Sequence, residues 1–170
     1  MEITFIDELP IGNSRIPIII SGSHSLVFPN KQFLILMNAD ECINIYELRY
    51  QYKCSPFQQA ELIGGLLAVG HQEHFYLFDL IKNSNILVSM MSGYFGHFYK
   101  DNALLFVADA TQIHCLGNDG SALWISASLG VDGVIIHDFD DSKIYGTGEW
   151  DPPGGWREFV LDKITGLQVG

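Results

Sequence analysis

Basic residues are scarce in this chain: nine lysines and arginines stand against twenty aspartates and glutamates, for a formal net charge of −11 over 170 residues. Such a field repels phosphate backbones and anionic membranes. There is also no basic patch or aromatic–basic interleaving, so nucleic-acid and membrane partners are not expected. Cysteine is rare as well. Cys42, Cys54 and Cys115 form an odd set without Cys-x-x-Cys spacing. That argues against a disulfide framework, favours a reducing cytoplasm and reads the three as small core hydrophobes. No apolar stretch approaches the roughly 20 residues that cross a bilayer. The start, with Glu2, Asp7 and Glu8, lacks the basic opening of a signal peptide. Catalytic signatures are missing too: there is no Gly-x-Ser-x-Gly elbow, phosphate loop, His-Glu-x-x-His or dinucleotide fingerprint. A soluble cytoplasmic protein without catalytic residues, metal or cofactor is expected.

What the chain does have is a weak internal repeat. The segment from Gly96 to Leu105 reappears 40 positions on, from Ile136 to Tyr145, with fainter versions from Leu26 to Ile35 and from Ala60 to Leu67. Self-similarity at this period marks stacked or radially arranged supersecondary units. Within a copy, short apolar runs rich in Ile, Val, Phe and Tyr alternate with polar turns, as in Leu104–Val107, Ile113–Leu116, the turn Asn118-Asp119-Gly120, and Ala122–Ile125. Asp-Gly between two apolar runs is a strong hairpin signal, because the favoured turn needs positive φ. Only Tyr46–Tyr52 and Phe57–Ile63 could pass as short helical turns, with Pro56 lying between them.

The expected fold is therefore all-β: four-stranded antiparallel meanders repeated about four times, near 24–54, 60–91, 94–126 and 134–170, in a single domain 1–170. Strands are expected near Phe33–Met37, Leu66–Val69, Phe75–Leu80, Leu104–Val107, Gln112–Leu116, Ala122–Ile125, Ile144–Gly146 and Glu158–Leu161. Leu67, Val69, Phe78, Leu105, Phe106, Val107, Ile144 and Leu161 should form the core. The N-terminal runs within 1–20, Ile3–Ile6 and Ile16–Ile20, are candidates to close a ring or cover an open sheet edge.

Phe159-Val160-Leu161-Asp162-Lys163-Ile164-Thr165-Gly166-Leu167, echoed by Tyr76-Leu77-Phe78-Asp79-Leu80, resembles the blade pattern of quinoprotein-type β-propellers. The resemblance implies a small or half-propeller geometry and carries over nothing that binds a quinone. The first unit departs from it, with Glu47 where the Leu-Asp pair should stand.

Acidity is concentrated toward the C-terminus. Asp132, Asp138, Asp140, Asp141, Glu149 and Asp151 fall within twenty positions, relieved only by Lys143. The segment Gly146–Glu158 reads as a lengthened loop stiffened by Pro and Gly. It carries Trp150, Trp156 and Arg157, a composition suited to a binding hot spot or to capping a blade core. His97 and His137 hold matching repeat positions, which points to a structural device; His71 and His74, three apart, could share a metal only on a loop.

Three functions remain open. In the first, Asp138, Asp140, Asp141, Glu149, Trp150, Asp151 and Trp156 form the contact surface of an acidic inhibitor that covers the active site of a basic partner such as a nuclease toxin. In size, acidity and lack of catalytic apparatus this profile is similar to that of bacterial toxin-immunity proteins, which implies a protein partner. The second is a propeller-like scaffold, or a carbohydrate- or peptide-binding module, using Trp150 and Trp156. The third is a hydrolase using Glu149 and Asp151 as a carboxylate pair.

Overall fold

The computed structural model describes residues 1–39 and 41–169. The first sheet contains β1 (Glu2–Ile6), β2 (Ile18–Ile19), β3 (Asn30–Asn38) and β4 (Glu41–Tyr50), in the order β1-β3-β4-β2. Three meanders follow. β5 (Gln58–Ile63), β6 (Leu66–His71), β7 (His74–Asp79) and β8 (Ser84–Met90) pair in sequence order. So do β9 (Phe95–Asp101), β10 (Leu104–Asp109), β11 (Ile113–Gly117) and β12 (Ala122–Ile125). The last sheet has β13 (Val134–Phe139), β14 (Lys143–Glu149) and β15 (Trp156–Asp162), with Gln168 bridged to Leu161 at its outer edge. Every pairing is antiparallel except that of β2 with β4.

Continuous apolar runs become middle strands because both of their faces are covered. In β6, Leu67 and Val69 pack toward the first sheet, while Ala68 packs toward the third. In β10, Leu105 and Val107 face the second sheet, while Phe106 and Ala108 face the fourth. The outer strands β8 and β12 are mostly exposed. Three apolar layers thus join neighbouring sheets, and among the described residues none joins the first sheet to the fourth. The array is open. All eight residues expected in the core are buried.

Aspartates recur at the turns for a local reason: a short carboxylate reaches the backbone N–H groups two and three residues ahead. Asp79 accepts from Ile81 and Lys82, Asp109 from Thr111 and Gln112, Asp140 from Ser142 and Lys143, and Asp162 from Ile164 and Thr165. The third and fourth sheets are also clamped by Lys163. Its ammonium, almost buried, meets Asp101 Oδ2 at 2.6 Å and the Asp140 carbonyl, and its own carbonyl accepts the Trp124 indole N–H at 3.1 Å.

Several expectations change. The two segments read as possible helical turns lie largely in β4 and β5. The N-terminal runs cover sheet edges rather than close a ring: β1 and β2 flank the β3–β4 hairpin and give the first sheet the strands its own unit lacks. Glu47, the departure from the blade pattern, is buried with Lys31 and Arg49 as ion-pair partners. Cys115 is buried and Cys42 half-buried, but Cys54 is exposed, so it is no core hydrophobe.

The histidines are not equivalent. Register pairs Lys100 with Leu105 and Phe139 with Ile144, one residue short of the offset between the two histidines. Different bulges then put His97 opposite Ala108 and leave His137 unpaired, with Ile135 taking the place that corresponds to His97. His71 and His74 face each other across the β6–β7 hairpin, and His71 reaches Gln32 Oε1 at 2.8 Å. No helix among the described residues is long and apolar enough to cross a membrane.

Candidate functional site

The long loop expected between the last two strands is mostly strand. Glu149 pairs with Trp156, leaving only Trp150–Gly155 as the turn, closed by the Trp150 N–H to the Gly155 carbonyl at 2.9 Å. Inside it, Gly154 donates to Glu149 Oε1 at 2.8 Å.

This extension divides the seven residues picked out from sequence. Asp138, Asp140 and Asp141 lie at the β13–β14 turn, while Glu149, Trp150, Asp151 and Trp156 lie at the far end of β14. Seven strand residues separate the two groups by roughly 20 Å. Asp140 is committed to its turn: its carboxylate accepts the Ser142 and Lys143 N–H groups and the Tyr145 hydroxyl at 2.7 Å. These bonds, that of Tyr145 foremost, bring its pKa down to about 2. Asp141 and Asp151 are exposed. The two tryptophans also part company. Trp150 stacks under the Arg157 guanidinium, 5.6 Å from ring centre, whereas Trp156 turns toward a cleft between the third and fourth sheets.

That cleft, about 220 Å³, draws its walls from three sheets. Phe57 arrives just ahead of β5, Tyr94 and His97 from the start of β9, Asp132 from the loop before β13, and Glu149 and Trp156 from the last hairpin. Phe57 stacks on Tyr94 with centroids 6.4 Å apart and tilts over His97 at 4.7 Å. The Tyr94 hydroxyl donates to the Asp132 carbonyl at 2.6 Å. Burial, with the Asp132 and Glu149 charges, pushes the Tyr94 hydroxyl up to about 12, and burial moves His97 below its usual range. The imidazole is therefore neutral at pH 7.

The floor is rigid because its backbone groups are paired. Val131 donates to the Glu149 carbonyl at 2.7 Å, Gly133 to that of Ala110 at 2.8 Å, and Ala110 to that of Tyr94 at 3.1 Å. At Gly133 a Cβ would stand only 3.2 Å from the tip of the Trp156 ring, so glycine gives the indole room there. Asp109 also borders the cleft but is spent: Oδ1 accepts Thr111 and Gln112, and Oδ2 accepts Ser92 and pairs with His114 at 3.0 Å. The Asp132 side chain acts on the Tyr94 hydroxyl through both its charge and a hydrogen bond, and Glu149 Oε2 has no hydrogen-bond partner among the described residues. No lysine or arginine lines the cleft.

Sequence reading placed Glu149 and Trp156 on a contact surface, noted Asp132 only as part of the acidic run, and missed Phe57 and Tyr94. Neither spacing nor motif joins them, because only the stacking of blades brings them together. Among the described residues no group of three or more His, Cys, Asp or Glu side chains is arranged to hold a metal ion.

No protein-family profile matches the chain, and no curated protein matches its sequence. Solved structures do match in shape. One is BamB from Moraxella catarrhalis, with a TM-score of 0.54 at 13% identity, covering 81% of this chain and 42% of the BamB chain. The chain thus spans less than half the length of that structure. At this identity the likeness shows the fold alone: an open, half-propeller-like array of blades.

Proposed function

We propose that this chain is a protein-binding scaffold of the half-propeller type, which engages a basic partner at the cleft between its third and fourth sheets. One observation carries the reading: three aromatic side chains and the carboxylates of Asp132 and Glu149 line one concavity that holds no lysine or arginine. Aromatic anchors on a rigid frame are the composition of a contact hot spot, and the net charge of −11 steers basic surfaces toward it.

The scaffold reading fits better than the toxin-inhibitor one. Part of the acidity behind the resemblance to immunity proteins serves turns, and the expected acidic patch is split between the two ends of β14. Inhibition of a basic enzyme such as a nuclease is the narrower form of the proposal, in a cytoplasmic setting suggested by the three unpaired cysteines.

The test is binding of a purified partner to variants. Trp156→Ala should raise the dissociation rate about tenfold or more, since buried aromatic anchors act chiefly on that rate. Trp150→Ala should leave it within about twofold, because Trp150 lies outside the cleft. Equal losses, or a loss confined to Trp150→Ala, would refute the placement.

A further inference from the structure

We infer that the cleft receives one arginine side chain, its guanidinium lying between the aromatic walls and bonded to the carboxylates of Asp132 and Glu149. This rests on the contact being at the cleft. A space of about 220 Å³ admits a side-chain head but no strand or helix. Phe57, Tyr94 and Trp156 line it, and the π-electron density of such rings attracts a cation at close range. The neutral His97 contributes a fourth flat surface and no opposing charge.

The polar groups narrow the ligand further. The Tyr94 hydroxyl already spends its proton on the Asp132 carbonyl, and Asp109 has filled both of its oxygens. The groups left to meet a ligand are Glu149 Oε2 and the Asp132 side chain, both carboxylates that accept hydrogen bonds and lack an N–H to donate. An anion is therefore rejected, and a neutral sugar, although its hydroxyls could donate to the carboxylates, brings no charge to match theirs. Among cations, a primary ammonium is compact and strongly hydrated, so it gives up water reluctantly to aromatic walls. A trimethylated ammonium has no N–H for the carboxylates. A guanidinium is flat, weakly hydrated and carries five N–H donors along its edge, so it stacks and hydrogen-bonds at once.

The experiment follows the indole N–H resonance of Trp156 during titration with capped pentapeptides carrying one central arginine, lysine or citrulline, and with arginine amide. The arginine peptide should shift that resonance saturably, about tenfold more tightly than the lysine peptide, with no response to citrulline. Glu149→Gln should weaken the response about tenfold, whereas Trp150→Ala should leave it unchanged. If arginine amide matches the peptide, the guanidinium alone is the ligand; a tighter peptide shows that flanking backbone adds contact. Equal affinity for lysine and arginine, full binding by Glu149→Gln, or no response to arginine would overturn the inference. Should a partner still dock at the cleft after such a result, the scaffold reading survives and only the guanidinium assignment falls.

Discussion

Asp140 and Asp141 are neighbours in the chain, and they do different work in the fold. Asp140 spends its carboxylate on two backbone N–H groups and the Tyr145 hydroxyl; Asp141 points into solvent. Sequence reading places both on the contact surface, as equivalent acidic residues. The structure gives Asp140 a turn-holding role as well. Its folded pKa, about 2, lies below the ordinary aspartate value of roughly 3.9. A depressed folded pKa stabilises the fold above the unfolded value, and that contribution is lost as pH falls from about 4 toward 2. Asp140→Ala should therefore lower the urea midpoint at pH 7 and flatten its acid dependence in that window. Asp141→Ala should do neither. Matching midpoints for the two variants across pH 2–7 would contradict the assignment.

Strands and sheets are the scale at which the sequence was most legible. Runs such as Leu104-Leu105-Phe106-Val107 lack alternation because their strand is covered on both faces, so they announced buried middle strands directly. The last hairpin was harder to read. Gly148 and Trp156 look like loop residues, yet they sit in register on β14 and β15, and Gly146, expected to end its strand, continues it and makes room for the Phe159 ring. A glycine chosen for close approach has the same letter as one chosen for a turn. The bulges that separate His97 from His137 were hidden for a similar reason, since a one-residue slip is invisible until pairing is known. Phe106 tests the layering: it is fully buried between the third and fourth sheets, against Trp124 and Phe139. Phe106→Ala should cost about 3–5 kcal/mol in denaturant unfolding. A loss under about 1 kcal/mol would show that the two sheets do not share a packed core.

Over the whole molecule, the repeat announced stacked blades and left their closure undecided. Openness appears only in the apolar layers, which couple each sheet to the next in sequence and leave the first and fourth unjoined among the described residues. The candidate site belongs to this scale as well. Phe57, Tyr94, Asp132 and Trp156 are scattered over a hundred positions and meet only where three sheets abut. Trp150, beside Trp156 on the same hairpin, faces elsewhere, which makes it an internal control. Hydroxyl-radical footprinting of the purified complex, read residue by residue against the free chain, tests the cleft as the contact site most directly. Oxidation of Phe57, Tyr94 and Trp156 should fall together on binding, with Trp150 unchanged. Protection of Trp150 with Trp156 still reactive would contradict the account.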